Sequence, residues 1–383
     1  LKIITSKSFS ILDQSLKDID KLSKSHDKIM SSKIYDIDKI YWLIEDCKKL
    51  GTSCFASIAR CAFIANDFIN SFVDKGIFSK QERLNFLSSI RTVVSELNND
   101  LLKLNKKEFI IKYGHLRPST YDINSINYKD GYKFYFSDKN KIKEYKRNIF
   151  YFSHRQIEKI NKFIYLNKLP FSAESLIKFI KKSISERERA KFYFSKNIDS
   201  VFHLIKKIGK RVNLNKNDLG FININSIIDL YYNIDGQNIE QKLQEEIKSN
   251  KNIFNHNSLI KLPKNIINDK DIFYFLEKSS KYNFVGNGDV TGKILNLDRN
   301  NKNEMNNKII CISSADPGYD YIFTKRIKGL VTMFGGINSH MAIRCSELKI
   351  PAAIGVGERM FKDISNAKIA RINSVSEKID IIN

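Results

Sequence analysis

The chain has 383 residues, 42% of them hydrophobic, which is long enough for two or three domains with a sizeable core and too apolar for intrinsic disorder. The formal net charge is +23, but lysine is spread along the whole length among Asn and Ile rather than massed on one face, so no nucleic-acid partner is expected. No apolar stretch approaches the roughly 20 residues of a membrane span, and no basic–apolar–small leader opens the sequence; the expectation is a cytoplasmic protein with no membrane partner. Five cysteines (Cys47, Cys54, Cys61, Cys311, Cys345) form no CxxC pair, which argues for buried thiols rather than a metal site or disulfide framework. The chain opens on Leu1 rather than Met, so a piece of a longer protein is expected.

Residues 10–105 read as successive amphipathic helices. Ile11, Leu12, Leu16, Ile19 and Leu22 recur mostly at three- and four-residue steps. Ile37, Ile40, Leu43 and Ile44 start a second helix expected to end near Gly51. From Gly51 to Ala65 small residues dominate, which suits a helix packed closely on a neighbour or a ligand. Arg60 in that run either snorkels from a core helix or serves a site. Gly76 marks a turn, and Ser79 to Leu97 a further helix.

The string from Lys112 to Ile123 is the next informative stretch. Gly114 and Pro118 break the helix that ends at Tyr113, and between them and Asp122 stand His115, Arg117, Ser119, Thr120 and Tyr121. A loop so equipped is where binding groups are often mounted; the structural alternative is an Asx-type turn with an Arg–Asp pair. Residues 128–150 lack a clean period, and with Tyr151 to Tyr165 they read either as a helical excursion or as an insert. Helical periodicity resumes at Ala173 and runs through Glu186 to Asn197. There Arg187 and Lys191 share a face at i, i+4, and Glu188 and Lys191 form an i, i+3 pair; a solvated salt-bridged face is the plain alternative. Leu204 to Gly209 closes this helix, Asn225 to Tyr232 begins another, and charged Asn-rich connectors occupy 233–258 and 264–271.

From Asn283 the pattern turns to β. Gly288 to Leu297 alternates and carries turn glycines, Ile309 to Ile312 is an apolar run of the kind buried on both sheet faces, and Asp316-Pro317-Gly318 turns the chain. Tyr319–Ile327 reads as a short helix and Leu330–Phe334 as the next strand. Gly335-Gly336-Ile337-Asn338-Ser339-His340 then leads into one short helical period. Pro351 stops that period and forces Ile350 to be extended, and Ala352–Val356 makes a further strand. Strands alternating with helices imply an α/β domain of about 100 residues. His340 in the first helical turn has the placement of a nucleophile towards a phosphoryl group, with unpaired helix N–H groups to meet the phosphate. A capping or surface histidine is the plain alternative.

The whole string, GG-x-x-SH-x-A-I followed by E-L-x-I-P-A and G-V-G, resembles the phosphohistidine segment of the phosphoenolpyruvate(PEP)-utilising enzymes. That group includes phosphoenolpyruvate synthase, pyruvate phosphate dikinase and ATP-dependent rifamycin phosphotransferases. Met341 departs from the small residue usual there, and Arg344-Cys345 from an aliphatic pair. Tyr113-Gly114-His115-Leu116-Arg117-Pro118-Ser119-Thr120-Tyr121-Asp122-Ile123, with Ser119 in place of a glycine, and Arg187-Glu188-x-x-Lys191-Phe192-x-Phe194-Ser195-Lys196-Asn197 are similar to strings of one subgroup. That subgroup contains the L-glutamine kinase of capsular phosphoramidate biosynthesis.

The resemblance implies an α + α/β protein: a large helical acceptor-binding region, 1–278, followed by a small swivelling α/β phosphohistidine domain, 279–383. Polar segments near 279–290 and 298–307 would permit the swing. ATP and Mg²⁺ would bind an ATP-grasp domain upstream of Leu1, in cis or on a separate chain, for no Gly-rich phosphate loop precedes residue 280; without it the fragment would be inactive. ATP would phosphorylate His340, presented by Gly335, Gly336 and Ser339, leaving AMP and phosphate. The acceptor would be a small molecule, foremost the side-chain amide of L-glutamine. Arg117, Arg187 and Lys191 would neutralise charge, His115 would act as base, and Thr120, Tyr121 and Asp122 would bind the acceptor. Other acceptors, as in phosphoenolpyruvate synthase or an antibiotic phosphotransferase, remain open, although no cysteine-bearing acceptor barrel of the dikinase type precedes the histidine segment. A non-enzymatic phosphocarrier served by a separate kinase chain also remains open.

Overall fold

A computed structural model describes residues 2–93, 96–137, 149–232, 239–260, 262, 266, 268–273, 282–297, 305–337 and 339–382. The helices are α1 (Lys2–Ser31), α2 (Asp36–Asp46), α3 (Ser53–Asp74), α4 (Lys80–Ser89), α5 (Leu97–Lys103), α6 (Lys106–Tyr113), α7 (Tyr132–Tyr135), α8 (His154–Leu166), α9 (Ala173–Arg211), α10 (Ile224–Tyr232) and α11 (Ile239–Asn257). After them come β1 (Asn283–Val285), β2 (Asp289–Asn296), β3 (Lys308–Ser314), β4 (Gly329–Phe334), α12 (His340–Glu347), β5 (Ala352–Ile354), α13 (Glu358–Asn366), β6 (Ile369–Asn373) and β7 (Lys378–Ile382). Among the described residues no helix is long and apolar enough to cross a membrane.

Several helix starts follow from single residues. Ser79 with Glu82, Asn105 with Glu108, and Ser153 with Gln156 form capping boxes at α4, α6 and α8, each satisfying two orphan backbone N–H groups. Ser172 caps the 39-residue α9. That helix is the spine of the helical region: α1, α2 and α3 pack along it. Ile19, Leu22, Ile58, Ile69, Phe72, Leu176 and Ile180 are fully enclosed between them.

The second helix does not end near Gly51. It continues through a π-turn, Cys47–Thr52, directly into α3. Gly51 serves close approach instead, because a Cβ there would lie 2.6 Å from the Phe194 ring on α9. The connector expected at 233–258 contains α11, held by buried Leu243 and Ile247 on an otherwise charged helix. In the unassigned stretch 128–150, Tyr132–Tyr135 is one helical turn and 138–148 lie outside the described residues. The swing segments expected near 279–290 and 298–307 lie partly outside them, at 279–281 and 298–304, while 282–290 and 305–307 are described.

The C-terminal strands form one seven-stranded sheet in the order β1-β5-β4-β3-β2-β6-β7. The inner strands β2 to β5 are mutually parallel, β1 and β6 run antiparallel to them at either side, and β7 pairs antiparallel with β6. Ile309, Ile310, Cys311 and Ile312 of central β3 are all fully buried, as a strand covered on both faces requires. Tyr319–Ile327, read as a short helix, is a 3-10 segment, Pro317–Thr324. One apolar cluster joins the two regions: Leu97, Phe109, Tyr113 and Tyr128 of the helical part share a core with Ile310, Tyr321, Met341 and Cys345.

Candidate functional site

The turn from β4 into α12 is built for display. Gly335 sits at φ +140°, and a Cβ on it would meet the Ala315 methyl at 2.7 Å, so only glycine turns the chain there without strain. Gly336 has open space around it. Ser339 is the N-cap, its Oγ accepting from the Ala342 N–H at 3.4 Å. The next residue, His340, begins the helix but faces inward and is buried.

What it faces is a charge cluster under the helix. The His340 Nε2–H donates to Asp320 Oδ1 at 2.9 Å, and the Arg344 Nε–H donates to the same oxygen at 3.3 Å. Arg344 also donates through Nη1 to Glu347 Oε2 at 2.7 Å, with its guanidinium lying over the Phe323 ring. Asp320, Arg344 and Glu347 are all enclosed. Burial alone would push the Asp320 carboxyl up, but the Arg344 guanidinium and the His340 ring hold it below its ordinary value. Burial likewise opposes the Arg344 charge, and Asp320 with Glu347 more than offsets it, leaving the guanidinium firmly protonated. An anionic Asp320 fixes the ring with hydrogen on Nε2 and turns Nδ1 away from that carboxylate.

Nδ1 looks towards α9, where Glu188 Oε2 lies 4.0 Å away. Between α12 and the helical region is a cavity of about 40 Å³, walled by Ala62, Asn66, Arg187, Glu188, His340 and Arg344, with Ile90 and Ile343 also lining it. Arg187 Nη1 stands 3.6 Å from Glu188 Oε1. The Arg187 Nε–H and the Glu188 Oε2 are buried with no hydrogen-bond partner among the described residues. One turn further, Lys191 reaches Asp316 Oδ2 at 3.4 Å, and Thr120 Oγ1 donates to the same carboxylate at 3.1 Å.

Of the residues singled out in the sequence, the structure brings His340 and Arg187 to one cavity, and Lys191 and Thr120 to a second, smaller one that shares Glu188 with the first. Arg187, Glu188 and Lys191 thus occupy a half-buried seam rather than a solvated face. The others go elsewhere. His115 is enclosed, its Nε2–H donating to the Phe192 carbonyl at 3.1 Å, and burial pushes its ring down to about 3. Arg117 is buried in an ion pair with Asp199 and donates through Nη1 to the Ser125 carbonyl at 3.2 Å. Tyr121 is 65% exposed. Asp122 accepts from the Asn124 N–H at 2.9 Å, an Asx turn.

The 112–123 string acts instead as a clamp on the start of the 3-10 segment. A Cβ on Gly318 would lie 1.6 Å from the Arg117 carbonyl, the Tyr128 hydroxyl donates to the Gly318 carbonyl at 2.9 Å, and Thr120 holds Asp316. Ser119 lies at φ +54°, a left-handed position that favours the glycine of the resembled string. Sequence reading did not single out Asp316, Asp320, Glu188 or Arg344 as site residues. Two signals were there: a lone carboxylate inside the apolar run Tyr319–Phe323, and Arg344 where an aliphatic residue was expected. Among the described residues no group of three or more metal-ligating side chains gathers.

The chain shows similarity to known proteins over part of its length. It is 33% identical over 101 residues to the rifampicin phosphotransferase of Bacillus cereus; the matched stretch is 26% of this chain and 11% of that protein. The chain therefore spans only a small part of that relative's length. Residues 305–376, with His340 at their middle, match the PEP-utilising enzyme mobile domain, and this supports the PEP-utilising family for the segment that carries the buried histidine.

Proposed function

We propose that this chain is the carrier and acceptor-side part of a phosphotransferase in which His340 takes a phosphoryl group from ATP, with AMP and phosphate as products, and passes it to a small molecule. The observation that carries this reading is the His340 ring itself. One nitrogen is held by the buried Asp320 carboxylate, and the other faces a cavity whose far wall supplies Arg187, with Lys191 one turn along. Phosphoryl transfer needs positioning and charge neutralisation more than covalent help. Arg187, whose Nε–H has no hydrogen-bond partner among the described residues, offers a donor to a phosphoryl oxygen on the ring, and Lys191 adds positive charge beside it.

ATP and Mg²⁺ are expected on an ATP-grasp domain, in cis or on another chain, and His340 would reach it by a swing of a domain beginning near residue 279. The pose with His340 against α9 is the delivery pose. For the acceptor we favour the side-chain amide of L-glutamine in the cytoplasm, because the resembled string 186–197 supplies that cavity wall. A second reading, an antibiotic-type acceptor, is favoured by the similarity to a rifampicin phosphotransferase. Phosphorus NMR of AMP-forming reactions with glutamine, pyruvate and rifampicin separates these: a product from glutamine alone is expected, and a product from pyruvate or rifampicin alone overturns the choice. The histidine assignment is tested by an acid-labile label from ATP, present in the natural sequence and absent from His340→Asn. Retention of the label in the variant would sink it.

A further inference from the structure

The cavity at His340 is too small for the molecule it serves. Its volume of about 40 Å³ admits a few water molecules at most, so the body of an acceptor must rest outside it. A groove of about 710 Å³ shares the Ile90 wall with that cavity, a size usual for small-molecule sites. It lies between the end of α4, α8 and α9. Lys178, Lys181, Ser185 and Glu188 follow one another on α9 at three- and four-residue steps, so groove and cavity lie along one helix face. From Lys181 to Glu188 is about two turns, or about 10 Å. A groove of about 310 Å³ beside Asp36 and Arg211 is no rival: its Ile208 wall stands about 30 Å along α9 from Glu188.

Charge marks what the groove takes. Arg91, Lys178, Lys181 and Lys182 line it against a single carboxylate, Glu174, among the described residues. Arg91 is engaged by Glu96, and Lys182 by Asp13. Lys178 and Lys181 have no ion-pair partner among the described residues. The Lys181 ammonium stands 5.8 Å from the centre of the Phe86 ring and 6.0 Å from that of Phe152, an aromatic floor that steadies it. Two uncompensated ammonium groups on one wall attract an anion. We infer that this groove is the acceptor's seat and that the acceptor is a carboxylate. Lys178 and Lys181 hold the carboxylate, and the N–H or O–H end extends past Ile90 to His340. Glu174, one turn before Lys178 on the same face, receives the ammonium of an α-amino acid. The seat is the same whichever ring nitrogen carries the phosphoryl group. Its role in transfer rests on the phosphohistidine reading above; its binding chemistry does not.

Binding and transfer are measured separately, in the chain together with its ATP-binding domain. Calorimetry follows binding of L-glutamine, of pyruvate, and of L-glutaminamide, in which a neutral amide replaces the carboxylate. L-glutamine should bind about tenfold or more tightly than L-glutaminamide, and Lys178→Gln and Lys181→Gln should each weaken it about tenfold. The double variant should bind the two alike, and the weakening of glutamine binding by added salt should vanish with the two lysines. Lys181→Arg, which keeps the charge, should stay within about threefold of the natural sequence. In turnover the KM for the acceptor should rise in step with these losses, with kcat changed by no more than about threefold. An unchanged melting temperature excludes a folding defect. Equal binding of L-glutamine and L-glutaminamide to the natural sequence overturns the inference, as does a preference that survives in the double variant. Failure of both L-glutamine and pyruvate to bind does the same. Pyruvate binding in place of L-glutamine, with the same dependence on the lysines, upholds the groove and overturns the choice of acceptor. Absence of any acid-labile label on His340 removes the phosphohistidine reading and leaves a carboxylate-binding groove.

Discussion

Two strings of the helical region, 112–123 and 186–197, carry similar inventories of basic, hydroxyl and acidic side chains, yet they sit differently in the fold. The second lies on a long, continuous helix, so the spacing of Arg187, Glu188 and Lys191 alone puts them within one turn of each other, and the packing of α9 decides that this seam meets His340. The first lies on a loop, where spacing says nothing about direction. Its Arg117 turns inward to Asp199, its His115 to the Phe192 carbonyl, and its Thr120 across to Asp316. The lesson is that a rich polar loop can be the fastener of a site rather than its lining. Here it grips the segment that carries Asp320, and so sets the histidine at one remove.

The comparison can be broken by treating the two arginines alike. Arg187→Ala is expected to lower transfer from His340 by about 10²–10³-fold, the usual effect of removing one preorganised donor to a developing charge, with little change in the denaturation midpoint. Arg117→Ala should do the reverse. It strands Asp199 beside a buried space and frees the loop carbonyls, at a cost of about 3 kcal/mol, read as a shift of the urea midpoint. If Arg117→Ala leaves stability intact and abolishes transfer, the loop is catalytic and the contrast fails.

His115 gives a subtler probe. Its ring is held neutral in the fold, down to about 3, whereas an unfolded histidine protonates near 6.5. Between those values the unfolded chain binds the extra proton. The stabilising contribution is therefore fully present above about pH 6.5 and is lost on acidification towards pH 3, to the extent of on the order of 4 kcal/mol. His115→Gln, which can still donate to the Phe192 carbonyl, should flatten that acid limb of stability while transfer at neutral pH changes by no more than about threefold. A large loss of transfer at unchanged stability would return His115 to the site. The smallest effect is expected at Ser119. Its φ of +54° costs a non-glycine residue strain, partly offset by the added freedom glycine brings to the unfolded chain, so Ser119→Gly should raise stability by a few tenths of a kcal/mol in the same urea titration.

Local chemistry made the histidine segment readable. Two glycines after an apolar run mark strand, turn and helix, and Gly335 acts as read, whereas Ser339 proves to be the N-cap and the helix closes on Lys349 at φ +55° before Pro351 is reached. The apolar run Ile309–Ile312 likewise announced a strand covered on both faces. Gly51 was misleading for a physical reason: the same absence of a side chain that ends helices also lets another helix approach, and the Phe194 ring decides which use is made of it. The antiparallel strands β6 and β7 close the sheet edge beside β2, and their short, half-exposed pattern carries little periodic signal.

By itself the sequence determined that a histidine opens a short helix after a glycine turn, because backbone geometry and capping act over a few residues. It determined as well that Arg187 and Lys191 share a helical face, because the helix repeat does not depend on what surrounds it. Only the tertiary structure decided that Asp320, twenty positions before His340, holds its ring, that Arg344 neutralises that carboxylate, and that Glu188 closes the cavity from α9. Those three contacts join residues far apart in the chain through packing of the sheet on the helical spine, and no short-range pattern specifies which side chains such packing will bring face to face.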